Sequence, residues 1–160
     1  MSAIKKDDVA KLIGQAPKNM DLYTSAFTHR SYLNENREFH LPHNERLEFL
    51  GDAVLELIAT EFLYKTYDHP EGELTNFRSA LVNYKMLSDI AARLQFEQYL
   101  LMSRGEAKDT GRARQVILAN CIEAFIGALY LDMGYDVTRE FITNEVVVEL
   151  KGIIEGGTYM

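Results

Sequence analysis

The sequence predicts an all-α fold, and three observations predict it. Strand signals are nearly absent: the one β-branched run, Val146-Val147-Val148, lies inside a stretch with helical spacing. Pro17, Pro42 and Pro70 all fall between amphipathic stretches, where they punctuate helices instead of breaking them. No repeat, low-complexity tract or linker divides the 160 residues, a length that suits one domain burying about 70% of its unfolded surface.

Apolar periodicity predicts helices over 6–14, 20–31, 44–66, 73–83, 84–94, 112–132 and 136–154. Pro17 separates the first two, and Pro42 precedes the third, for which Asn44 is the expected N-cap. Pro70 stands ahead of the fourth. Short pieces around Phe96–Leu101 and Gly105 lead from the fifth to the sixth, which is apolar on every side and therefore expected to be buried.

Composition narrows the function classes. With 47% apolar and 26% charged residues the chain reads as globular. No uninterrupted apolar run approaches the roughly 20 residues of a membrane span, and the start lacks a signal-peptide core, so no membrane partner is expected. Cys121, the single cysteine, has apolar neighbours and reads as a small buried side chain, with a reducing cytoplasm as its setting. The net charge of −7 opposes polyanion binding, unless the acids form a cluster that divalent ions neutralise.

Such a cluster is visible in 44–66. At about 100° per residue, and with Glu45 at zero, Glu48 falls near 300°, Asp52 near 340° and Glu56 near 20°. Leu47, Leu50, Val54, Leu55, Leu57 and Ile58 are assigned to the opposite, core-facing side. The plainer reading is a solvated acidic face. Against it stand Gly51, costing about 1 kcal/mol relative to Ala in mid-helix unless something packs too closely there for a Cβ, and Phe49, an aromatic near 40°, beside the acids.

A second polar pair interrupts the apolar helix: Asn120 and Glu123, one turn apart. A charge there must be paired or bound to a metal. Glu123 either meets an Arg or faces the acids of 44–66 and completes a metal site. All-oxygen donors suit Mg²⁺ or Mn²⁺, and the absence of ExxH and HExxH argues against di-iron and zinc-hydrolase sites.

These residues resemble ribonuclease III. Asn44–Ala53, NERLEFLGDA, matches that family's signature essentially letter for letter, and the likeness continues through Phe27–Tyr32 (FTHRSY), Glu71-Gly72, Leu81–Asn83, Gly105-Glu106 and Glu123–Ala128 (EAFIGA). It covers roughly residues 5–155. The resemblance implies a helical endonuclease domain, working as a two-fold homodimer that holds double-stranded RNA in a valley. It implies staggered cuts leaving 5′-phosphate and 3′-hydroxyl ends.

By that resemblance Glu48, Asp52, Asn120 and Glu123 form the metal set, taking Mg²⁺ with Mn²⁺ as substitute, and Glu45, Asp52 and Glu123 are catalytic. Glu45 and Glu71 belong to the RNA valley, and Phe49 plugs into the partner subunit. Two departures stand out. The family usually has Asp where this chain has Asn120, and the double-stranded RNA-binding domain that follows in most bacterial members is absent from this sequence. His29 is expected to make structural hydrogen bonds, while His40, His43 and His69 lie in loops without metal-like spacing. Arg78, Arg104, Lys108, Arg112 and Arg114 are candidates for phosphate contacts, solvated surface charge being the plainer reading of each.

Two other functions fit parts of the pattern. An all-α nucleotide pyrophosphohydrolase would carry a second acidic repeat, where this chain has Asn-x-x-Glu. A ribonuclease III-like RNA-binding protein with weakened or lost catalysis is supported by Asn120 and opposed by Glu48, Asp52 and Glu123.

Overall fold

A computed structural model describes residues 2–156. Ten α-helices follow one another: α1 (Lys6–Ile13), α2 (Met20–Ala26), α3 (Arg30–Glu35), α4 (Glu45–Thr66), α5 (Glu71–Leu81), α6 (Tyr84–Arg93), α7 (Arg104–Lys108), α8 (Arg112–Met133), α9 (Tyr135–Ile142) and α10 (Val148–Gly156). A 3-10 turn occupies Phe96–Tyr99 and a π turn Thr143–Val147. Among the described residues there is no strand, only an isolated bridge between Thr28 and Leu101.

The apolar helix α8 is the axis on which α4, α6, α2 and α9 pack, which is why it is apolar all round. Phe125 at its middle touches four other aromatic rings, with centroids 5.6 Å from Tyr23, 6.1 Å from Phe27, 5.2 Å from Phe96 and 5.2 Å from Phe141. By length and composition α8 would suffice to cross a bilayer, yet more than half of that stretch is buried inside the fold. Near its end, Asp132 accepts hydrogen bonds from Lys18 N (2.9 Å), Asn19 N (2.8 Å) and the Tyr23 hydroxyl (2.7 Å), tying the entry of α2 to the axis. Cys121 is buried as expected, its thiol pushed up by burial.

Four expectations need correction. The helix read over 20–31 is two helices, because Leu101 N donates to Phe27 O and His29 N to Leu101 O (both 2.9 Å), drawing the backbone out of the helix at Thr28. The helix read from 73 starts at Glu71, directly behind Pro70. The helix read over 136–154 contains the π turn, whose Glu145 carbonyl is held by Arg93 at 2.7 Å. Asn44 does not cap α4 with its side chain: its Nδ2 turns inward to the Ala26 carbonyl at 3.0 Å, joining the end of α2 to the start of α4.

Candidate active site

The site forms where α4 crosses α8. A Cβ on Gly51 would overlap the carbonyl oxygen of Glu123 and lie 2.6 Å from its carbon and 2.9 Å from Gly127 N. A Cβ on Gly127 would overlap the Leu47 carbonyl oxygen and lie 3.1 Å from Gly51 N. The mid-helix glycine thus marks a close approach, as its cost in the sequence suggested, and the partner is the backbone of Glu123.

That approach brings Glu123 to the acidic face of α4. Its carboxyl is half-buried and pushed up to about 9, by burial first and then by a hydrogen bond with Asp52 and the charges of Asp52, Glu48 and Glu56. In the neutral form Glu123 donates its O–H to the Asp52 carboxylate. Burial, with Glu45 and Asp52 nearby, raises the Glu48 carboxyl too. No ion pair among the described residues includes Glu48, Asp52, Glu56 or Glu123. The Arg-paired alternative for Glu123 is therefore set aside.

Hard oxygen donors without a basic partner fit a divalent cation, whose charge would lower the carboxyl pKa values and relieve the mutual repulsion. The cluster is open: Asp52 is exposed, Glu48, Asn120 and Glu123 are half-buried, and among the described residues no three His, Cys, Asp or Glu side chains are closed on one metal position. Glu56 belongs to this group through its charge on Glu123. It was visible on the helical wheel but not singled out as a site residue.

The flanks divide the remaining residues. Glu45 is exposed at the start of α4, 3.7 Å from Arg30. Glu71 stands apart from the carboxylates, beside Thr60, Tyr64, His69 and Arg78 around an open depression between α4 and α5. Phe49 is 83% exposed next to the acids, in a strip continued by Leu57 and Tyr64. Leu57 was assigned to the core side and is instead 59% exposed. At about 120° it sits on the far edge of the arc holding Phe49, not under the helix.

Among the basic candidates, Arg114 is a correction. It is buried, paired with Glu97, and donates to the carbonyls of Glu106 (3.3 Å) and Ala107 (3.0 Å) that end α7. Arg78 donates to Thr60 Oγ1 at 2.9 Å, and Arg104 faces Glu35 at 3.9 Å. Lys108 and Arg112 are exposed. His29 is structural: its Nδ1 accepts from Ser31 N at 3.2 Å, and the Ser31 hydroxyl accepts from Ser103 N at 2.9 Å.

Residues 19–150 match the family described as Ribonuclease-III-like. Ribonuclease 3 of Latilactobacillus sakei is 46% identical over 134 residues, covering 83% of this chain and 58% of that protein. Ribonuclease 3 of Listeria monocytogenes is 41% identical over 155 residues, covering 96% of this chain and 66% of that protein. The chain thus spans about 58% of the length of the first of these relatives. The nuclease domain of ribonuclease III from Campylobacter jejuni superposes with a TM-score of 0.77 at 33% identity, covering 89% of this chain and 94% of that one. A second structure of that domain, with a TM-score of 0.76, shows flexibility in its region involved in dimer formation. Matched in sequence across most of its length and in the course of its helices, the chain belongs to the ribonuclease III family.

Proposed function

We propose that this chain is a metal-dependent endonuclease unit that hydrolyses phosphodiester bonds of double-stranded RNA, leaving 5′-phosphate and 3′-hydroxyl ends. The observation that carries the reading is the meeting of Glu48 and Asp52 on α4 with Glu123 on α8, with no ion-pair partner among the described residues. Glu48, Asp52 and Glu123, with the amide oxygen of Asn120, would hold Mg²⁺, and Mn²⁺ can substitute. A bound divalent ion supplies a nucleophilic water near neutral pH and neutralises charge on the phosphate.

The chain's own groups then have separate tasks. Asp52 and Glu123, which meet across the two helices, would hold the ion from both sides and orient the attacking water. Glu45 and Glu71 line the RNA valley. Glu45, 3.7 Å from Arg30 at the start of α4, would act from the flank of the carboxylate cluster. Recognition is of A-form shape, backbone and 2′-hydroxyls, because the deep major groove of RNA hides its base edges. Phe49 inserts into a second copy of the chain, and the exposed strip through Leu57 and Tyr64 runs along the same contact. The setting is cytoplasmic, consistent with one buried, reduced cysteine.

Incubation with end-labelled RNA duplex and with dUTP, each with Mg²⁺, tests the reading. Cleavage of the duplex to 5′-phosphate products with dUTP untouched is expected. Hydrolysis of dUTP alone would replace it by a pyrophosphohydrolase. Duplex binding without cleavage at every Mg²⁺ and Mn²⁺ concentration would replace it by an RNA-binding protein.

A further inference from the structure

Gly51 and Gly127 are the only glycines in the two 22-residue helices that meet at the site. Their contacts are reciprocal. Leu47 lies one turn before Gly51, and Glu123 one turn before Gly127; each glycine receives the carbonyl of the other helix at that position. The acids grow from the same peptides: Glu48 follows Leu47, Asp52 follows Gly51, and Glu123 carries its carboxyl beside the carbonyl that Gly51 receives. Away from this point α4 is buried through Val54, Leu55 and Ile58, ordinary core residues. Each glycine costs about 1 kcal/mol of helix propensity relative to Ala, so both penalties fall at the one crossing beneath the carboxylates.

We propose that the Gly51–Gly127 crossing is the spacer that sets the separation of Glu48 and Asp52 from Glu123, making both glycines positioning residues for the divalent-cation site. The inference rests on the metal reading above. A Cβ at either position meets backbone, which cannot rotate away, so the helices must part by about an ångström or more in a close-packed interior. Mg²⁺ demands oxygen donors at about 2.0–2.1 Å in near-octahedral order, and ligands on two helices cannot both follow such a displacement. Glycine at these positions is therefore required by the distance between carboxylates and not by packing alone.

The test measures Mn²⁺ binding by electron paramagnetic resonance, with Mg²⁺ competition, in the parent chain, G51A, G127A and L150A. Leu150 is fully buried in α10, away from the crossing, and its truncation serves as a control for loss of stability. The expected result is folded G51A and G127A with affinity reduced about tenfold or more, while L150A stays within about twofold of the parent. Parent-like affinity in folded G51A or G127A overturns the proposal, as does failure of both to fold, which would assign the crossing to folding alone. A parent chain that binds neither ion removes the metal reading itself, a distinct outcome.

Discussion

Substituting Glu123 by Gln should stabilise the protein in a metal chelator, and the gain should grow with pH. In the folded chain the Glu123 carboxyl is pushed up to about 9 by burial and by Asp52, Glu48 and Glu56. In the unfolded chain a Glu titrates near 4.3. This raised value contributes stability that is complete below the unfolded value and is lost as pH rises through about 9. At about 1.4 kcal/mol per pH unit, the window from pH 5.5 to 8 sets a ceiling of about 3 kcal/mol. Water reaching this half-buried group screens the effect to about 1–2 kcal/mol. Urea unfolding of both proteins at pH 5.5 and pH 8, with EDTA, reads the difference. The parent should lose about 1–2 kcal/mol more than Glu123→Gln over that interval. Equal pH slopes would refute the idea that Glu123 is held uncompensated among acids.

Three further outcomes follow from the same geometry. Phe49→Ala should weaken self-association in sedimentation experiments without unfolding the chain, because an 83%-exposed ring contributes nothing to its own core; truncating a Phe that a partner buries costs roughly 3–5 kcal/mol, and a parent that stays monomeric at high concentration contradicts the plug. Asn120→Asp should lower the Mg²⁺ concentration needed for cleavage by adding charge one turn from Glu123; a higher requirement in a metal titration would mean that the site is adapted to the amide. Arg114→Met should cost about 1–3 kcal/mol in urea unfolding, since the carbonyls ending α7 lose their donor, while metal binding is unchanged; a loss of RNA affinity with no change in stability would return Arg114 to the phosphate contacts.

The sequence exposes some of this architecture and hides the rest, for physical reasons. The helical class and the burial of α8 follow from periodicity, and the placing of four acids, Glu45, Glu48, Asp52 and Glu56, on one face of α4 follows from spacing alone. Gly51 was legible as a close approach because its propensity cost had no local compensation, but its partner was not, since contact across about 70 residues leaves no trace in spacing. The break at Thr28 is set by hydrogen bonds to Leu101, which overrode a helical pattern that ran on through Ser31. Asn44 has the composition of a cap, yet its amide serves a buried carbonyl of α2 instead. Arg114 looked like one more surface cation because nothing local announces Glu97 or the end of α7. Glu71 entered the site only through family resemblance, and within one chain it stands apart from the carboxylates.

The central claim is that Glu48, Asp52 and Glu123 form one divalent-cation site that cleaves paired RNA. Single-turnover cleavage of a long RNA duplex, across a Mg²⁺ titration, by the parent chain and by Glu123→Ala tests it most directly. Mg²⁺-dependent cutting to 5′-phosphate ends is expected in the parent, with the rate falling by at least about a hundredfold in the variant. Equal cutting by Glu123→Ala, or cutting by the parent that persists in EDTA, would contradict it.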